Sequence, residues 1–138
     1  SLAEDKRKHF KILVAEDNLV NQKVVTILLR KLGYRADIVC NGKEAVAAMR
    51  AAEYHLVLMD CQMPELDGYA ATAKIRSAEE GVNRRIPIIA LTANAMKGDR
   101  AKCIAAGMDN YLTKPIDPQL LAEMLETYLK SSQPSSQD

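Results

Sequence analysis

Asp60 closes an uninterrupted apolar run, Leu56-Val57-Leu58-Met59, and two further carboxylates, Glu65 and Asp67, follow it. A second acidic pair, Glu16-Asp17, closes the run 11–15, while Thr92 and Thr113-Lys114 close two more. Brought together, three carboxylates repel, so they hold protons or they hold a metal; a metal is the more economical reading. An all-oxygen donor set with no His or Cys beside it selects a hard cation, and few carboxylates with room for water favour magnesium over a calcium cage. An ammonium (Lys114) and a hydroxyl (Thr92) beside such a cation suit a tetrahedral, dianionic group, a phosphoryl. Asp60, held on a rigid strand, is then placed as a nucleophile able to form an aspartyl phosphate.

The elements that must carry these residues are legible as short apolar runs at 11–15, 56–59 and 86–91, with weaker strand candidates at 36–39 and 110–113. The three strong runs do not alternate, as expected of parallel strands covered on both faces. Helical patterns separate them. Val20, Val24, Ile27 and Leu28 form the apolar stripe of the first, with Gly33 as its stop. Asn41 can cap a second, burying Ala45, Val46 and Met49, and Asp67 a third from about Gly68 to Ala78. A fourth runs from about Lys97 to Ala106, and a fifth starts at Asp117-Pro118 with Leu120, Leu121, Met124, Leu125 and Tyr128 along one stripe. Five alternations of strand and helix predict an open α/β sheet, in which ligands bind beyond the carboxyl ends of the strands. With a strand order of 2-1-3-4-5, Glu16, Asp17 and Asp60 would crowd one crevice.

Composition sets the bounds. The 138 residues, 48% hydrophobic and 27% charged, fit one domain, and a net charge of +1 gives no field to draw nucleic acid or lipid. The Arg84-Arg85 pair is too short to change that. Cys40, Cys61 and Cys103 form neither a disulfide framework nor a metal spacing, so they read as small hydrophobes in a reducing, cytoplasmic compartment. No run approaches a membrane span, and the charged start is not a signal peptide. The ends, 1–8 and 131–138, read as linker and disordered polar tail around a folded unit at 9–130.

The stretches ILVAEDN (12–18), LVLMDCQMPELDGYAAT (56–72), IIALTANA (88–95) and GMDNYLTKP (107–115) together resemble the receiver domain of two-component response regulators. The resemblance implies a flavodoxin-like, doubly wound five-stranded parallel sheet of order 2-1-3-4-5 with five helices, and Asp60 as phosphoacceptor. It implies magnesium held by Glu16, Asp17, Asp60 and the backbone carbonyl of Gln62, some ligands acting through water. Thr92 and Lys114 would bind phosphoryl oxygens, and Thr92 with Tyr111 would form the switch. Lys114-Pro115 would be a cis peptide, and Gln62 and Asn94 would tune access of the hydrolytic water. Receivers of this kind catalyse their own phosphoryl transfer and slow autodephosphorylation.

The spellings EDNLVNQ, MDCQMPELDG and LTANAM are more similar to receivers of hybrid sensor histidine kinases than to those of DNA-binding regulators. The implied partner is a histidine kinase or histidine phosphotransfer domain, met by a monomeric domain that itself touches neither nucleic acid nor membrane, though its parent could be a membrane-bound sensor. His9 and His55 lie outside any dimerisation helix, so the donor lies elsewhere. Other readings remain: a stand-alone regulator, or a phosphorylation-independent docking domain of the same fold. A haloacid-dehalogenase-type phosphatase would need an acid where Gln62 stands, and a flavin module a neutral phosphate loop where EDNLVNQ stands.

Overall fold

The computed structural model describes residues 3–82, 84–94 and 97–130. In chain order the elements are α1 (Glu4–Arg7), β1 (Lys11–Ala15), α2 (Leu19–Leu32), β2 (Arg35–Val39), α3 (Gly42–Ala51), β3 (Leu56–Asp60), α4 (Gly68–Glu79), β4 (Ile88–Thr92), α5 (Lys97–Ala106), β5 (Asn110–Thr113) and α6 (Pro118–Lys130). The strands form one parallel sheet of order β2-β1-β3-β4-β5. The expected order and fold class hold, with six helices among the described residues where five were expected.

The central strands β3 and β4 are buried at every position because each face meets its own helices. Leu13, Val57, Met59, Ile88 and Ala90 join Ala45 and Val46 of α3, Ala71 and Ile75 of α4 and Cys103 of α5. The intervening residues Ile12, Val14, Leu56, Leu58, Ile89 and Leu91 join Val25 and Leu29 of α2 and Leu121, Leu125 and Leu129 of α6. The period-2 alternation of a strand thus divides one run between two cores. Fully burying one such Leu or Ile side chain contributes about 1.5–3 kcal/mol, which fixes the strands and hence the residues at their ends.

Helix starts follow the expected caps. Asn41 accepts from Glu44 N at 2.8 Å, Asp67 from Ala70 N at 2.9 Å and Asp117 from Gln119 N at 2.9 Å. Asn18 caps α2 in the same way, accepting from Asn21 N at 3.0 Å.

Two expectations need correction. The apolar stripe of the first long helix was assigned to Val20, Val24, Ile27 and Leu28, but α2 buries Val25 and Leu29, while Val20, Val24 and Ile27 stay exposed. The second correction concerns the charged leader, read as linker. It carries the single turn α1, and Arg7 donates to Leu32 O at 3.0 Å, pairs with Glu126 at 3.6 Å and lies 5.9 Å over the Tyr34 ring. A long Arg stem covers apolar surface while its head meets the free carbonyls ending a helix, which a count of charges does not reveal. The tail 131–138 lies outside the described residues.

Candidate phosphoacceptor site

Glu16 directly follows β1, Asp60 ends β3 and Thr92 ends β4, so backbone pairing carries these residues to one edge of the sheet. Glu16 and Asp60 are buried, whereas Asp17 is exposed. Their carboxylate oxygens lie within 4.8 Å of one another. Lys114 reaches in from beyond β5, its Nζ 2.8 Å from Glu16 Oε1 and 3.0 Å from Asp60 Oδ2. The Lys114-Pro115 peptide is cis, as expected, and Lys114 N donates to Thr92 O at 2.8 Å.

The electrostatics follow from this crowding. Burial, together with neighbouring Glu16, pushes the Asp60 carboxyl up to about 6 from 3.8, despite Lys114 and the Gln62 N–H that donates to Oδ1 at 3.2 Å. Burial acts upward on Glu16 too, but Lys114, Asp60 and the Asn18 N–H at 3.1 Å outweigh it and hold Glu16 below its ordinary value. Burial would lower Lys114, yet Glu16 and Asp60 more than offset it and keep the ammonium charged. Three carboxylates therefore share one ammonium, and of the two buried ones Asp60 is the one whose ionised form is disfavoured. This donor set fits a hard divalent cation: all oxygen, two members buried, one open to water.

Thr92 is buried and adjacent, but its hydroxyl is engaged: Oγ1 donates to Asn94 O at 2.9 Å and accepts from Asn94 N at 3.1 Å. The hydroxyl belongs to the loop after β4 rather than to the carboxylates. Tyr111 is half-buried against the core that includes Met59 and Ala90. The side chains of Gln62 and Asn94 are exposed.

Two contributors escape sequence reasoning. Gly68, the first residue of α4, donates to Cys61 O at 3.1 Å, and a Cβ there would overlap the carbonyl oxygen of Asp60 itself. The other is the exposed apolar face of α2, whose Leu19 and Val20 are 71% and 68% exposed immediately after the Glu16-Asp17-Asn18 turn. The sequence does contain that stripe, but apolar spacing was taken to mean burial.

The pattern of the response regulator receiver domain family matches residues 12–126. Histidine kinase 1 of Arabidopsis thaliana is 41% identical over 91% of this chain, and hybrid signal transduction histidine kinase I of Dictyostelium discoideum is 44% identical over 91%. The chain spans 13% and 8% of those relatives. Among experimental structures, the receiver domain of a Pseudomonas aeruginosa sensor histidine kinase is 49% identical (TM-score 0.80, 88% of this chain and 98% of that one), with magnesium coordinated in its active-site cleft. The receiver domain of a Saccharomyces cerevisiae response regulator, crystallised with a histidine phosphotransfer protein, is 31% identical (TM-score 0.84, 94% of each chain). The buried acid at the end of β3, the acidic pair after β1, the lysine on its cis peptide and these similarities converge: the chain belongs to the response regulator receiver domain family of two-component signalling.

Proposed function

We propose that this domain accepts a phosphoryl group from a phosphohistidine onto Asp60, with magnesium, and that the phosphorylated form presents an altered protein-binding surface. One observation carries the reading: Asp60 is buried at a strand end between two carboxylates and the Lys114 ammonium. In the transfer, a carboxylate oxygen of Asp60 forms a bond to phosphorus as the histidine N–P bond breaks, and the imidazole leaves. Glu16, Asp17, Asp60 and the Gln62 carbonyl would hold the ion. When bound, magnesium supplies positive charge against the carboxylates and the incoming phosphoryl.

Lys114 is poised to exchange its present carboxylate partners for a phosphoryl oxygen, its flexible stem permitting the move. Thr92 can donate to the phosphoryl only by releasing Asn94 O. That exchange would loosen the loop after β4 and open space for Tyr111 to turn inward, linking chemistry to surface. Residues 95 and 96 of that loop lie outside the described residues. Gln62 and Asn94 are the groups proposed to govern the approach of hydrolytic water.

The donor side of the reading rests on α2. Leu19, Val20, Val24 and Ile27 form an exposed apolar face, and a cavity of about 100 Å³ lined by Glu16, Val24, Val25, Lys114 and Ile116 joins it to the site. Exposed apolar residues clustered this way mark a binding surface. We assign it to a histidine phosphotransfer domain, within a cytoplasmic hybrid-kinase relay, the isolated domain being monomeric and not binding nucleic acid. No described helix is long and apolar enough to cross a membrane.

Acetyl phosphate with magnesium should label wild type but not Asp60→Asn, read by intact mass; equal labelling of the variant would end the assignment. Asp17→Asn should bind magnesium much more weakly by titration. Val20→Asp should slow transfer from a phosphorylated histidine phosphotransfer protein about tenfold, as expected for a central contact, yet label normally with acetyl phosphate. Unchanged transfer from the phosphotransfer protein would move the partner surface elsewhere.

A further inference from the structure

Gly42 opens α3, away from the reacting groups, yet it touches the loop that follows Asp60. Its N–H donates to Leu66 O at 3.0 Å. A Cβ at Gly42 would overlap that oxygen and lie 2.8 Å from the Leu66 carbonyl carbon and 2.9 Å from Leu66 Cβ. Gly42 is not among the residues with positive φ, so no unusual backbone angle calls for glycine here. Proximity does. Within a helix glycine is about 1 kcal/mol worse than alanine, so the close approach is retained against local preference.

The start of α3 is a rigid post. Asn41 caps the helix by accepting from Glu44 N at 2.8 Å, and Glu44 Oε1 reaches back to accept from Cys40 N, the residue before the cap, at 2.8 Å, so the two bonds hold the first turn. Three residues earlier, Val39 O accepts from Glu16 N at 3.0 Å. Segment 39–42 thus braces the end of β1, which carries Glu16, and through Leu66 the loop 61–67, which carries Gln62. The far end of that loop is fixed by Gly68 N to Cys61 O at 3.1 Å, and between the two anchors Glu65 sits at φ 70°. A loop holding a left-handed glutamate needs both anchors to keep one shape.

We propose that Gly42 is a positioning residue for the phosphoacceptor site: by admitting the Leu66 carbonyl against α3, it sets the loop from which Gln62 offers its carbonyl to magnesium. This rests on the proposed metal-dependent phosphoryl transfer to Asp60. A side chain at Gly42 overlaps Leu66 and must displace it, and with it the loop that carries Gln62. The helix α3 thereby becomes part of the site's geometry without touching the reactants.

The test compares Gly42→Ala with Gly81→Ala, a control at φ 81° whose added Cβ meets nothing within 4 Å. Both should lower the melting midpoint. Gly42→Ala should weaken magnesium binding, titrated by amide NMR on the folded protein, about tenfold, the order seen when outer-shell support of a metal site is lost. Acetyl phosphate labelling of Asp60 should slow with it, whereas Gly81→Ala should match wild type in both. Equal magnesium affinity in Gly42→Ala and wild type overturns the proposal, as does an equal loss in both variants. If Gly42→Ala fails to fold, wild type decides: adding magnesium and beryllofluoride should raise hydrogen-exchange protection of the Gly42 amide about threefold or more, and unchanged protection overturns it. A wild type that neither binds magnesium nor becomes labelled overturns this and the proposed function together, whereas a labelled wild type with an indifferent Gly42 overturns this alone.

Discussion

The two ends of the sheet treat charge in opposite ways. At the N-terminal ends of β4 and β5, Arg76 pairs with Glu79 and with Asp109, each at 2.9 Å, and Arg85 pairs with Asp109 at 3.0 Å. The remaining polar capacity is also met: Arg76 donates to Gly107 O and Ile86 O, Ile86 N donates to Glu79 and Ile88 N to Asp109. Two cations meet two carboxylates. At the C-terminal ends, some 17 Å away along five-residue strands, three carboxylates meet one ammonium. The balanced end is built for stability; the unbalanced end holds surplus negative charge that a divalent cation would offset.

The largest expected effect lies at the balanced end. Arg76→Ala leaves Glu79 without its cation, Asp109 with Arg85 alone and the Ile86 carbonyl without the Arg76 donor, so urea unfolding should show a loss of about 3–5 kcal/mol. A loss below about 1 kcal/mol, the range of a surface pair, would erase the contrast.

At the unbalanced end removal should help. Asp60 is pushed up to about 6 from 3.8, so its contribution to stability is fully present below 3.8 and lost as pH rises through about 6. Asn at this position does not titrate. With a chelator present, Asp60→Asn should therefore be more stable than wild type at pH 7–8, by on the order of 2 kcal/mol, and the advantage should shrink as pH falls below about 6. Magnesium should narrow the gap by stabilising wild type. A gap independent of pH would show that Asp60 ionises there without strain.

The smallest effect probes the backbone at the same end. Glu65 has φ 70°, the only positive value among described non-glycine residues. Glu65→Gly should raise stability by about 0.5 kcal/mol, the relief of left-handed strain slightly exceeding glycine's added chain entropy. A decrease in the melting midpoint would mean that the Glu65 side chain contributes more than its conformation costs.

Much of this molecule was determined by its sequence. Short non-alternating runs mark strands buried on both faces, and β1 falls where its run predicts, because apolar residues at this density have few other places to go, while β5 coincides with the weaker candidate at 110–113. Asn41, Asp67 and Asp117 announce their helices through local capping chemistry, which needs no distant partner. Glu16, Asp17, Asp60, Thr92 and Lys114 are legible for a related reason: each stands at a strand end, and parallel pairing sends those ends to one edge.

What the sequence left open depends on which surface covers which. Periodicity showed that α2 has an apolar stripe but not that a stripe turned by one residue, Val25 and Leu29, faces the sheet and leaves Val20 and Val24 outside. Adjacent residues on a helix point about 100° apart, so the choice belongs to packing. Arg7 and Arg76 look alike as surface charges, yet tertiary contacts bind one to the end of α2 and enclose the other between two carboxylates. Only the folded chain decides that Gly42 meets Leu66, because that depends on how closely two backbones distant in sequence approach each other.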